Sequence, residues 1–247
     1  MIGETGQNTY YRKYEIVEYN NANDIVVKFE NGYTKRTRLR SFESGNIRNP
    51  YDLTFLGMGC MGEGGYNSKH KSYGVWSDML YRCYGEYSDG INTVCDSWLN
   101  YQNFASWYES NFYQIGKEKM VLSKDIVFKD CKVYSEDTCL IVPNKLNGLF
   151  VSRHVQYGKP ECNRFENDNI LPDGVRYDSV NGKYISEVYK SIDVDRRGMY
   201  RIGEFESIEM ASRAYNREKV KYVRKVVGLY KKRFGELISD RVYESVE

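Results

Sequence analysis

Two Asn-Gly dipeptides, Asn31-Gly32 and Asn181-Gly182, constrain this chain more than any other feature. Each stands between runs rich in Val, Ile, Tyr and Phe, and Asn-Gly in that setting is the strongest short-range signal for a β-hairpin. They place antiparallel sheet near both ends of a 247-residue chain and leave the middle to be read by helical spacing. A chain of this length exceeds one typical domain. An α+β architecture in three parts follows: a small β unit over 1–52, a central ββα core with helices over 53–160, and a three-stranded sheet with a long helix over 165–247.

In the first unit Tyr14, Ile16, Val17 and Tyr19 read as one strand, Asn20–Asp24 as a turn and Ile25–Phe29 as a second strand. Tyr33–Leu39 returns as a third and Phe42 caps the core, as in an SH3-like barrel of three or four strands. A period of two places Arg36, Arg38 and Arg40 on one face with Lys35 opposite. Such a row suits duplex phosphates, and it equally suits an edge protected by charge.

The central segment opens on the glycine-rich Gly57–Gly65. It lacks the Lys-Ser/Thr ending of a P-loop and the strand–helix frame of a dinucleotide site, so it reads as a flexible lead-in. Trp76–Tyr84 is expected as a helix with Trp76, Met79, Leu80 and Cys83 on one face, and Trp98–Phe112 as a second with Phe104, Trp107 and Tyr108 inward. Met120–Phe128 and Thr138–Val142 follow as strands, and Pro143 opens a helix through Asn144, Asn147 and Leu149.

Trp76-x-x-Met79-x-x-Arg82-Cys83-Tyr84 and Val94-Cys95-x-x-Trp98, followed by this ββα order, resemble the phage proteins related to His-Asn-His endonucleases. The N-A-N-D-I-x-V-x-F run from Asn21 and the G-N-I-x-N-P-Y run from Gly45 resemble the repeat at the start of those proteins. The resemblance implies a divalent metal held against a scissile phosphate, with a His base, a second His or Asp on the metal and an orienting Asn. This copy supplies Ser123, Lys124 and Asp125 on the first strand and Asn144 and Asn147 on the helix, while His70 and His154 fall outside the motif. By the resemblance, Asp125, Asn144 and Asn147 are the candidate catalytic residues, Asp125 the candidate Mg²⁺ ligand and Lys124 a phosphate contact. One carboxylate makes a poor metal site, which favours a scaffold kept for binding over one kept for cutting.

The last segment is separated by Pro160 and the polar run Glu161–Asn169. Gly174–Tyr177, Tyr184–Tyr189 and Arg196–Ile202 read as strands, and Ser207 caps a helix with Glu209 in its first turn. Phe205, Glu209, Ala211, Ala214 and Tyr215 then fall on the pattern G-x-F followed by E-x-A-x-x-A-Y, and the segment resembles the apetala-type DNA-binding domain. Carried over by position, the resemblance makes Arg176, Tyr177, Lys183, Tyr184, Arg196, Arg197 and Tyr200 the contacts to DNA, with Ser191–Asp195 lengthening one turn. The helix is expected to continue toward Phe234 along an apolar stripe of Tyr215, Tyr222, Val223, Val226, Val227, Tyr230 and Phe234. Arg217, Lys219, Lys221, Arg224 and Lys225 cover the rest, and the stripe packs on the central core or on a second copy.

Charge is nearly balanced, at +2 overall. Residues 1–50 carry 8 Lys/Arg against 6 Asp/Glu, residues 51–170 carry 12 against 15, and residues 171–247 carry 16 against 13. Phosphate binding therefore needs a local patch. Cys60, Cys83, Cys95, Cys131, Cys139 and Cys162 form no C-x-x-C pair and match no standard zinc finger, so they read as reduced core residues. No secretion signal opens the chain, and no apolar run nears the ~18 residues of a membrane span. The expected product is a phage-type double-stranded-DNA-binding protein in the cytoplasm of an infected bacterium. Its alternatives are a Mg²⁺-dependent DNA endonuclease and an inhibitor of a host defence (CRISPR or restriction) protein.

Overall fold

Both Asn-Gly hairpins form in the computed structural model, which describes residues 1–88, 90–128, 131–150, 165–166, 169–193, 196–235, 238 and 240–244. At the first, the Phe29 N–H donates to Tyr33 O (2.8 Å) and the Gly32 N–H to Phe29 O (2.9 Å) around a three-residue loop. At the second, the Gly182 N–H donates to Asp178 O (2.8 Å), and the Asp178 carboxylate accepts from the Val180 N–H and the Asn181 side chain. Gly32 (φ 86°) and Gly182 (φ 65°) take the left-handed position that ends each loop.

In chain order the elements are β1 (Thr5–Gln7), β2 (Lys13–Asn21), β3 (Asp24–Phe29), β4 (Thr34–Thr37), α1 (Leu39–Glu43), α2 (Lys71–Tyr84), β5 (Thr93–Val94), α3 (Asp96–Leu99) and α4 (Tyr101–Asn111). Then come β6 (Met120–Ser123), β7 (Val133–Tyr134), β8 (Leu140–Pro143), α5 (Asn144–Phe150), β9 (Phe165–Glu166), β10 (Asn169–Ile170), β11 (Val175–Asp178), β12 (Lys183–Asp193), β13 (Arg196–Phe205), α6 (Ile208–Phe234) and α7 (Asp240–Glu244). The α+β class holds. The chain forms two compact units, Met1–Phe112 with Cys131–Thr138, and Tyr113–Asp130 with Cys139–Glu247.

In the first unit β1 to β4 form an antiparallel meander in sequence order, an open sheet with β1 and β4 at its edges rather than a closed barrel. Tyr14, Ile16, Ile25, Val27 and Phe29 bury one face against Phe42 and Ile47. A bulge between Ile16 and Glu18 absorbs Val17, so that Tyr19 returns to the inner face three residues after Ile16. The expected third strand stops early. After Thr37 the chain turns helical, because α1 carries Phe42 back into the core.

The glycine-rich stretch is a packed pass over the helices, not a flexible lead-in. A Cβ at Gly59 would lie 2.7–2.9 Å from Leu80 and Trp76, and one at Gly62 would overlap the Asn100 side chain. Gln102 clamps the stretch by donating to Met61 O and Tyr66 O and accepting from the Tyr66 N–H. Trp76, Met79, Leu80 and Cys83 are buried as expected, and the Trp76 indole donates to Trp98 O (2.7 Å). Removing that side chain costs about 3–5 kcal/mol. The helix expected over Trp98–Phe112 breaks at Asn100, whose extended backbone and side-chain cap on the Gln102 N–H start α4.

In the second unit β6 and β8 pair antiparallel and α5 follows, which gives the expected ββα order with a first strand of four residues instead of nine. Ile126, Val142 and Leu146 share one core with Val223 and Val227 of α6 and with Val242 and Tyr243 of α7. The first half of α6 instead buries Ala211 and Ala214, and the β12 residue Lys190 pairs with its Glu218 (3.4 Å). At 100° per residue the buried stripe turns by nearly half a revolution between the two halves, so one helix serves two cores. Cys60, Cys83 and Cys139 are buried in the manner of small apolar residues, and burial raises the pKa of the Cys60 and Cys95 thiols. No described helix is long and apolar enough to cross a membrane.

Candidate nucleic-acid interface

The ββα segment places its candidates without assembling a metal site. Lys124 and Asp125 follow β6 directly, and the Lys124 ammonium lies 2.7 Å from Asp125 Oδ1. A resident side-chain cation thus occupies the carboxylate that a metal would need. Asn144 is exposed at the start of α5, and Asn147 is half-buried with its Oδ1 unpartnered. Among the described residues no three His, Cys, Asp or Glu side chains converge, so the residues present do not fit a Mg²⁺ centre. His70 belongs to the first unit, where its Nδ1 caps α2 and its Nε2 lies 3.1 Å from Glu109. His154, Cys162 and the linker from Pro160 to residue 164 are outside the described residues, as are residues 194–195 of the expected insertion.

The N-terminal arginines do not form a strand row. Arg36 lies on β4, Arg38 is the residue before α1 and Arg40 is within α1, because the strand ends at Thr37. Arg36 is already engaged by Asp24 (2.6 Å) and Glu18 (3.5 Å). Its guanidinium helps hold the Asp24 carboxyl below the ordinary range, after the larger contribution from Asn20.

The C-terminal sheet divides the contacts that the resemblance had grouped. Val175 faces Ser186, Tyr177 faces Tyr184 and Tyr200 faces Val188, so these share one face. That face is turned to α6, since Ser186 and Val188 are buried and Lys190 reaches Glu218. Tyr177 and Tyr184 pack ring to ring at 5.2 Å. Arg176 and Lys183 occupy the opposite face with the buried Ile185 and with Glu187, Tyr189, Met199, Arg201 and Glu204. Neighbours along a strand point to opposite sides, so Arg176 and Tyr177, or Lys183 and Tyr184, never present together.

The described cations of that outer face are matched by carboxylates. Arg176 makes a two-pronged contact with Glu187 (3.2 and 3.3 Å), Lys183 meets Glu206 (3.2 Å) and Arg201 is bound to Glu204. Arg196 and Arg197 open β13, in register with Asp193 and Ser191. Among the described side chains, three cations against three paired carboxylates leave little field for an anionic ligand.

Helix α6 has the opposite character. Its 27 residues carry nine Lys/Arg against two Asp/Glu, a net +7, while the rest of 171–247 carries seven against eleven, a net −4. Arg213, Arg217, Lys221, Arg224, Lys225, Lys231 and Lys232 are all exposed. At 100° per residue they fall within a sector of about 120°, over about 28 Å of helix axis. Arg213, Arg217, Lys221 and Lys225 are spaced i, i+4, each step a like-charge pair that disfavours the helix by about 0.2–0.5 kcal/mol. Glu218 offsets part of this by accepting from Lys221 (2.9 Å) and Lys190 (3.4 Å), and those contacts lower its carboxyl pKa. Charge counted by thirds of the chain averages this patch away, and a count over the helix alone brings it out. No family model, curated protein or solved structure matches this chain.

Proposed function

We propose that this chain binds double-stranded DNA, and that the exposed stripe of α6 supplies the phosphate contacts. The observation that carries the reading is the segregation of charge in the C-terminal segment, +7 on the helix and −4 on the remainder. A self-repelling row of cations on a helix is relieved by an anionic partner, and a duplex offers phosphates along its whole length. Contacts of this kind position a protein without reading sequence. The carboxylate-paired cations of the sheet face contribute less. An endonuclease reading lacks comparable support, because Lys124 already engages Asp125.

Fluorescence anisotropy with a mixed-sequence duplex tests the proposal. Five to seven phosphate contacts predict a log–log salt slope of about −5 to −6. Replacing both Arg217 and Lys225 by Glu is expected to lower the slope by about 2, since each neutralised phosphate accounts for roughly one unit. Duplex affinity that ignores salt, or that survives this double reversal, would sink the proposal.

A further inference from the structure

The tip between β1 and β2 holds two adjacent tyrosines in an unusual state. Tyr11 has φ 62°, a left-handed conformation that opposes a bulky side chain, and the residue is 81% exposed, with Tyr10 at 49%. The frame that imposes this is fully hydrogen-bonded. The Asn8 N–H donates to Arg12 O and the Tyr11 N–H to Asn8 O, while Asn8 Oδ1 accepts from the N–H groups of Tyr10 and Arg12 and Gln7 Nε2 donates to Tyr11 O. Asn8 is itself buried and donates to Asp52 (2.8 Å), a carboxylate only 1% exposed. Arg12 is anchored on Tyr51 O (3.3 Å) and on the Asp52 carboxylate (3.7 Å), and Lys13 is exposed at the start of β2. Among the described residues neither tip ring stacks on another aromatic ring.

We propose that Tyr10 and Tyr11 form a stacking platform for unpaired nucleic-acid bases, with Lys13 on the adjoining phosphate. The inference rests on reading the chain as a DNA-binding protein. Strain held by a buried polar frame marks a site whose geometry serves something outside the fold. A backbone fixed in advance loses little freedom on binding. Tyr10 and Tyr11 beside the exposed Lys13 join two π-faces to a cation, which matches the base-and-phosphate repeat of a single strand; a protein surface has no such requirement.

The test uses the full chain with a fluorescein-labelled thymidine oligonucleotide of about 20 nucleotides and, separately, a duplex of equal length, long enough for several stacked bases. Tyr11→Gly deletes the ring and relieves the left-handed strain, so the variant is expected to melt higher than its parent. Its single-strand affinity should fall about tenfold while its duplex affinity stays within about twofold. Tyr10→Ala should weaken the single strand in the same direction. Unchanged single-strand affinity in a stabilised Tyr11→Gly overturns the inference. Parent protein that binds the duplex and not the single strand overturns it alone. Parent protein that binds neither overturns the duplex reading with it and leaves the tip as a protein contact.

Discussion

The C-terminal sheet and the helix packed on it draw on the same basic residues, and they differ in what stands beside each one. On the outer face of the sheet Arg176, Lys183 and Arg201 each meet a carboxylate, as Arg36 does on the N-terminal sheet. Within α6 itself nine cations stand beside two acidic residues. An exposed ion pair contributes little to stability, yet it cancels the field that would draw a polyanion. A basic residue in the sequence therefore says little about anion binding until its neighbours across the register are known.

The largest effect expected from this contrast is on the helix. Arg217→Glu with Lys225→Glu should weaken duplex binding by about a hundredfold at low salt, because two attractions to phosphate become two repulsions. Arg176→Ala with Arg201→Ala should stay within about twofold in the same anisotropy assay, since those groups are already matched. Equal weakening in the two variants would mean that a carboxylate partner does not silence the sheet cations.

Lys124→Met asks whether the paired state at Asp125 is structural. The Lys124 side chain is only 10% exposed and Asp125 is 31% exposed, so the destabilisation, after discounting for solvent, should be about 1 kcal/mol by denaturant titration. Glu187→Gln asks the reverse question, whether a released Arg176 can join the interface. A gain in duplex affinity of about two- to threefold, vanishing with added salt, is the expected result. A larger gain would make the sheet a masked second site.

The smallest effect concerns Glu218. Its folded pKa lies below the ordinary value of about 4.3, so its pairing with Lys221 and Lys190 is fully present above that pH and is lost as the pH falls through the lowered folded value. The parent should therefore lose slightly more melting temperature than Glu218→Gln between neutral pH and pH 3. A larger acid sensitivity in the variant would show that the pairing does not stabilise the fold.

Much of the fold was legible in the residues. Both Asn-Gly turns, the helix face of Trp76, Met79, Leu80 and Cys83, the ββα order and the cap at Ser207 stand where spacing and turn chemistry put them. Arg38 and Arg40 were misplaced because strand period alone cannot see that Phe42 is needed in the core. The glycine-rich stretch read as loose because the Leu80, Trp76 and Asn100 side chains that lie against it are distant in sequence. At the candidate interface the grouping expected from the sequence does not form, because Tyr177, Tyr184 and Tyr200 face the helix while Arg176 and Lys183 face away.

What the sequence by itself determined is local. A dipeptide that tolerates left-handed backbone makes a turn, a 3.6-residue stripe makes an amphipathic helix, and a hydroxyl before an acidic turn caps it. What only the tertiary structure decided is which charge meets which. That Lys124 takes up Asp125, that glutamates sit opposite the sheet cations, and that α6 turns its buried stripe between two cores and leaves its cations outward all depend on register and packing. Coulomb energy falls off with distance in space, and distance along the chain does not report it.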